Sequence, residues 1–196
     1  MTANRSKIFQ IGFNKCGTRT IHHFFARNGL KSLHWEGGKI AKAMLHNRAA
    51  SRSLIEGYED FDVFTDMEWL TATTHIEAFK FFPEIADAFP DARFILNTRD
   101  RENWIQSRLS HDHRDFVGRW MALTGLTDPD ALAAHWREEW DRHHRNVRDF
   151  FADAPERLVV FDIEQDSPET LAKGFPELDL NTRFYKHRGK TRNEPA

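Results

Sequence analysis

The chain has 196 residues, 40% of them apolar, with six Trp and 17 Phe to fill a core. That is enough for one domain burying roughly 70% of its unfolded surface, which excludes a disordered polypeptide. The formal net charge of −2 lacks the basic excess that counterion release exploits, so no nucleic-acid partner is expected, and a single cysteine, Cys16, excludes an internal disulfide or a multi-cysteine metal site.

The polar residues up to Lys7 precede an apolar run too short for a secretory core or a membrane span, so a cytoplasmic protein is expected. Residues 7–13 (KIFQIGF) read as a buried strand bounded by Gly12. A helix follows over 18–28, with Ile21, Phe24 and Phe25 on one face and Gly29 as its stop. Residues 30–35 form a short second strand, and 39–56 an amphipathic helix ending near Gly57. Residues 61–65 (FDVFT) alternate like a half-buried strand that ends on Asp66. Helical character spans 73–89, with Pro83 suited to be the first residue of a new helix.

Residues 93–97 (RFILN) read as the next strand, and Asp100 caps a helix to about Leu109. The longest helical signal covers 129–151, with Leu132, Trp136, Trp140, Val147 and Phe151 near helical spacing. Residues 157–163 (RLVVFDI) form the last strand, and Ser167 caps a short helix before Pro176. The tail from Asp179 is rich in Arg and Lys and either is flexible or closes over a ligand. Strands alternating with helices predict a single α/β domain over residues 1–196: three layers, with a mainly parallel central sheet flanked by helices. Ligands of such sheets bind at the strands' carboxyl ends, here after Phe13, Thr65, Asn97 and Ile163.

The segment after the first strand, 12–20 (GFNKCGTRT), suits an anion. Gly12 and Gly17 let backbone N–H groups come close at a helix N-terminus, Lys15 adds a point charge, and Thr18 and Thr20 offer hydroxyls. A nucleotide triphosphatase would carry Lys at position 18; here the lysine lies inside the loop, two residues before Gly17.

This P-loop-like segment resembles the 5′-phosphosulfate loop of the sulfotransferases that use PAPS (3′-phosphoadenosine-5′-phosphosulfate), written P-K-x-G-T-[ST]. Lys15, Gly17 and Thr18 match; Asn14 stands in place of Pro, and Arg19 in place of a small hydroxyl residue. The resemblance implies that residues Asn14, Lys15, Cys16, Gly17, Thr18, Arg19 and Thr20 surround the phosphosulfate. The family's second signature is an Arg at a strand end followed eight residues later by a Ser, and Arg99 and Ser107 hold that spacing. Arg99 leaves the strand while Ser107 lies two turns into the next helix, so both can face one phosphate. In the family that is the donor's 3′-phosphate. His187-Arg188-Gly189-Lys190 is similar to a stretch that closes over the same phosphate, which implies contacts from Arg188, Gly189 and Lys190.

The resemblance implies sulfuryl transfer from PAPS to a hydroxyl or amine, releasing PAP (3′,5′-adenosine diphosphate) and needing no metal. Lys15 would stabilise the leaving phosphate. The family's base is a His or a carboxylate near the strand end that precedes the Arg–Ser segment. Asp66 is the first candidate, Glu68 the second and His75 the third. His34 and Trp35 are placed to line an acceptor pocket, for a small-molecule, glycan or lipid acceptor. The pairs His22–His23, His111–His113 and His143–His144 lack convergent partners at ligand spacing. Two other readings stay open: a P-loop kinase, and a non-catalytic nucleotide-binding protein on the same fold.

Overall fold

A parallel strand buried on both faces needs apolar side chains at successive positions, and the central strands have them. In the computed structural model, which describes residues 6–111 and 115–188, strand β1 (Ile8–Gln10) leads through a loop into helix α1 (Thr18–Arg27). Strand β2 (Ser32–His34), helix α2 (Lys39–Ala49) and strand β3 (Val63–Thr65) follow. A hairpin of β4 (Glu68–Leu70) and β5 (His75–Glu77) precedes helix α3 (Phe82–Ala88) and strand β6 (Arg93–Thr98). Helices α4 (Arg101–Leu109), α5 (Phe116–Thr124) and α6 (Pro129–Phe150) then lead to strand β7 (Leu158–Asp162) and helix α7 (Pro168–Lys173).

Five strands form one parallel sheet in the order β2-β3-β1-β6-β7. The chain runs outward from β1 to β2 and β3, then crosses to β6 on the other side, so β1 lies at a switch point where a crevice opens. Side chains alternate between two apolar layers. Ile8, Val63, Ile95 and Phe161 pack with α1 and α7 on one face, while Phe9, Phe64, Phe94 and Leu96 pack with α2 through α6 on the other. This is the expected three-layer α/β arrangement, with a parallel central sheet flanked by helices. No described helix is long and apolar enough to cross a membrane.

Several boundaries differ from the sequence reading. Helix α2 stops at Ala49 rather than near Gly57, because Asn47 Nδ2 donates to the carbonyls of Leu54 (3.3 Å) and Glu56 (3.1 Å) and holds a turn there. Residues 75–77, read as helical, pair antiparallel with 68–70. The turn between them closes because Thr71 N donates to Thr74 O (2.8 Å) and Thr71 Oγ1 accepts from Thr74 N (2.9 Å). A short 3-10 turn (Ala78–Phe81) delays α3 to Phe82, which makes Pro83 its second residue. Helix α5, capped by Asp115 and ended by left-handed Gly125, has no counterpart in that reading. Ser167 precedes α7 but its side chain makes no capping bond.

Candidate active site

All five carboxyl ends of the main sheet open into one cleft of about 1290 Å³. The loop after β1 supplies its floor, His34 and Trp35 follow β2, Asp66 follows β3, Arg99 follows β6 and Glu164 follows β7. The positions that the sequence marked after four strands therefore converge.

The loop is built from within. Lys15 and Gly17 both adopt left-handed backbone (φ 63° and 76°), which turns the chain sharply into α1. A Cβ on Gly17 would sit 2.9 Å from Ile163 Cγ2, so a larger residue would strain the turn and push Ile163 aside. Asn97, fully buried at the end of β6, grips the loop from beneath: Oδ1 accepts from Gly12 N (3.0 Å), and Nδ2 donates to Phe13 O (3.1 Å) and Cys16 O (2.8 Å). Gln10, also buried, donates to Asn97 Oδ1 and to Gly12 O (2.6 Å), and its Oε1 accepts from Asp66 N (2.8 Å). One glutamine thus fixes both the loop and the strand end opposite. No side chain caps α1 and no acidic residue lies in its first turn, which leaves its N-terminal N–H groups facing the cleft for an anion.

Lys15, Gly17, Thr18, Arg19, Thr20 and Asn14 all line the cleft. Cys16 is the exception: its side chain is fully buried, so only its backbone belongs to the loop. The helix N-terminus does not activate it, because burial pushes the thiol far up despite the pull of Arg99 and Arg108.

Arg99 and Ser107 line the cleft together, as their spacing implied. Arg99 Nη1 donates to Lys15 O (3.2 Å) and ties the two segments, while Nη2 donates to Glu164 Oε1. Arg99 Nε is buried and has no hydrogen-bond partner. The tail is docked as far as Arg188, since Tyr185 packs on Phe24 and Phe161, and Arg188 N donates to Thr20 Oγ1 (2.9 Å). Arg188 lines the cleft as expected; Gly189 and Lys190 lie outside the described residues.

The three candidate bases separate. Asp66, at φ 56°, ends β3 with its side chain 20% exposed to the cleft. Burial raises its pKa to about 7, the neighbouring Glu68 charge adds to the rise, and Lys15 opposes it. Glu68 is held at both oxygens, by Asn14 Nδ2 at Oε2 (2.5 Å) and His75 Nε2 at Oε1 (2.9 Å). Burial alone would raise Glu68, but the hydrogen bond from His75, with Arg108 and Lys80 nearby, leaves it below the usual range. His75 does not reach the cleft; it stands behind Glu68, edge-on to Trp120. His75 thus holds Glu68 from behind and is not among the residues that line the cleft. The reason is the β4–β5 hairpin, which aims it backwards. His34 does line the cleft, with Nε2 3.7 Å from Asp66 Oδ2 and Nδ1 3.0 Å from Thr65 Oγ1. Burial, then His22, Arg19 and His23, lower its pKa to about 3, which keeps it neutral.

Among the described residues, Glu68, His75 and Glu77 are close enough to share a metal ion. One of the three, Glu77, already has a cation beside it, since Lys80 donates to Glu77 (2.5 Å) and also to Glu139 (2.8 Å). Asn14 Oδ1 accepts from Arg108 Nη1 (3.3 Å), which brings a second cation to the same chain. His143 is buried and neutral, its Nε2–H donating to Ile11 O (2.7 Å), so it serves packing. His113 lies outside the described residues. Gln10, Asn97, Arg108 and Glu164 escaped the sequence reading. Their one signal is a polar residue interrupting or directly following an apolar strand or helix face.

No curated protein matches the chain. The family model described as "Sulfotransferase domain" matches residues 7–137, well over half of its length. The matched span runs from the start of β1 into α6 and holds the phosphate loop, Asp66, Arg99 and Ser107. With that match over the cleft just described, the chain belongs to the sulfotransferase domain family.

Proposed function

We propose that the protein transfers a sulfuryl group from PAPS to a hydroxyl or amine acceptor and releases PAP. The observation that carries this reading is one cleft lined by the Lys15–Thr20 loop, Arg99 with Ser107, and Asp66. The fit is supported by an uncapped helix N-terminus behind a glycine at which a Cβ would crowd Ile163, and by the partnerless Nε of Arg99. The loop N–H groups and Lys15 hold the 5′-phosphosulfate, while Arg99, Ser107 and Arg188 receive the 3′-phosphate.

In this reading Asp66 takes the acceptor's proton as its oxygen or nitrogen bonds to sulfur. Lys15 and the loop N–H groups accept the charge that collects on the 5′-phosphate as the S–O bond breaks, and PAP leaves with the bonding pair. Glu68, with a pKa below the usual range and a hydrogen bond at each oxygen, is a poor base; its role is to keep Asp66 basic enough to act near neutrality. The cationic loop meets the charge requirement without a metal. The aromatic side of the cleft, Trp35, Trp69 and Phe116, is left for the acceptor.

Titration calorimetry with PAP, with 5′-AMP and with ATP plus magnesium tests the donor. Micromolar PAP binding with the other two much weaker is expected. ATP binding without PAP binding would replace this reading with a phosphotransferase.

A further inference from the structure

The Arg99 end of the cleft already holds an anion, and it is the protein's own. Three donors converge on the Glu164 carboxylate and make four hydrogen bonds to it. Arg99 Nη2 donates to Oε1, Asp100 N to Oε2 (3.1 Å), and Asn103 Nδ2 reaches Oε1 (3.3 Å) and Oε2 (3.1 Å). The side chains of Arg99 and Glu164 are 19% and 23% exposed, so the pair sits in the cleft wall rather than in open solvent. Burial would raise the carboxyl's pKa, but the bonds from Asn103, Asp100 N–H and Arg99 outweigh it and keep Glu164 ionised.

The backbone aims this carboxylate. Ile163 N donates to Thr98 O (2.9 Å), extending the pairing of β6 and β7 by one residue. Asp162 Oδ1 then accepts from Glu164 N (2.8 Å) and Gln165 N (3.2 Å), a tight side-chain turn that points residue 164 back across the sheet. The turn holds the backbone at residue 164, so releasing Arg99 asks for a change in the Glu164 side chain alone.

The pairing is incomplete on the arginine side. The edge of a guanidinium that matches a phosphate is the fork of Nε and one terminal nitrogen. Glu164 occupies Nη2, while Nε is buried and has no acceptor. A phosphate taking both positions would satisfy a charged donor that the carboxylate leaves unmet.

We propose that Glu164 is a built-in stand-in for the donor's 3′-phosphate, ordering the Arg99 site before the donor arrives and yielding Arg99 to it on binding. This inference rests on the PAPS reading. Glu164 then sets donor selectivity. Every 3′-phosphorylated nucleotide must displace a bonded carboxylate, whereas a nucleotide lacking that phosphate binds without disturbing it.

The test is calorimetry of PAP and 5′-AMP on the wild type and on Glu164→Gln, which keeps the shape and removes the charge. Glu164→Gln should tighten PAP by about tenfold, the scale of one hydrogen bond to a charged group, and leave 5′-AMP within about twofold. Glu164→Asp keeps the charge on a shorter arm and should fall between; it also carries the test if circular dichroism shows that the Gln variant does not fold. Weaker or unchanged PAP binding in Glu164→Gln would overturn the proposal and leave the donor reading standing, as would an equal gain for PAP and 5′-AMP. If neither the wild type nor the variants bind PAP, the donor reading itself fails and the stand-in goes with it.

Discussion

Two carboxylates two residues apart, Asp66 and Glu68, are pushed in opposite directions by what touches them. Glu68 has both oxygens bonded and cations nearby; Asp66 has one distant histidine and the repulsion of Glu68. A base must be deprotonated to act, so transfer should rise as pH climbs through about 7, the value to which Asp66 is pushed. Asp66→Asn should remove that limb from the pH profile of kcat/KM and lower the rate at least a hundredfold. The same shift has a cost to stability. The folded state holds this proton more tightly than the unfolded chain, so stability falls as pH rises from about 4 to about 7. Asp66→Asn should therefore be more stable than the wild type at pH 8 by about 2–4 kcal/mol in urea unfolding, and the gap should close below pH 4. Lys15 makes a separate prediction. Lys15→Ala should keep its circular dichroism spectrum and lose transfer by about a thousandfold, since one preorganised charge at the leaving group is removed. Lys15, Asp66 and Arg99 were legible in the sequence because each follows a recognisable strand. What sets Asp66 and Glu68 apart was not, because His75 and Asn14 reach Glu68 only through the fold.

At the level of elements, the phosphate loop owes its shape to side chains of the strands beneath it. Asn97 ties Gly12, Phe13 and Cys16 into one turn. Asn97→Ala leaves a buried N–H and two carbonyls without partners, so a loss of about 2–4 kcal/mol is expected in urea unfolding, with PAP binding weakened in step. The strand–loop–helix was readable from Gly12, Gly17 and the apolar run, but its clamp was not: an Asn ending RFILN looks like a strand terminator. The β4–β5 hairpin was hidden for a different reason. Its strands have three residues each, too few to show a period of two, and the apolar residues after it blend into the α3 signal. Helix α5 had its caps, Asp115 and Gly125, but its nine residues are apolar on most sides, so no amphipathic stripe marked it.

Across the molecule, the sequence carried the class of the sheet but not the order of its strands, since every central strand is apolar on both faces and nothing local says which neighbours which. Nor did it reveal the cation on which α4, α5 and α6 converge. Arg108 is 1% exposed and lies over Trp136 (4.4 Å), Trp104 (4.6 Å), Trp120 (4.9 Å) and Phe116 (5.0 Å). Its guanidinium faces inward and supports Asn14. Arg108→Ala should cost about 3 kcal/mol or more in equilibrium unfolding, because it opens a cavity among four rings and strips a charge from the Asn14–Glu68 chain. Arg108→Met, which refills the volume, should recover part of that loss and leave the pH profile altered.

The burial of Cys16 gives the protein an internal reporter. It is the only thiol in the chain and is sealed beneath the loop that would hold the phosphosulfate, so a thiol reagent can reach it only when that loop lifts or the fold opens. Its labelling rate under native conditions is therefore a clock for loop opening. A ligand bound across the loop should slow that clock by about a hundredfold at a concentration one hundred times its Kd. A ligand bound elsewhere in the cleft should leave it running at its own pace.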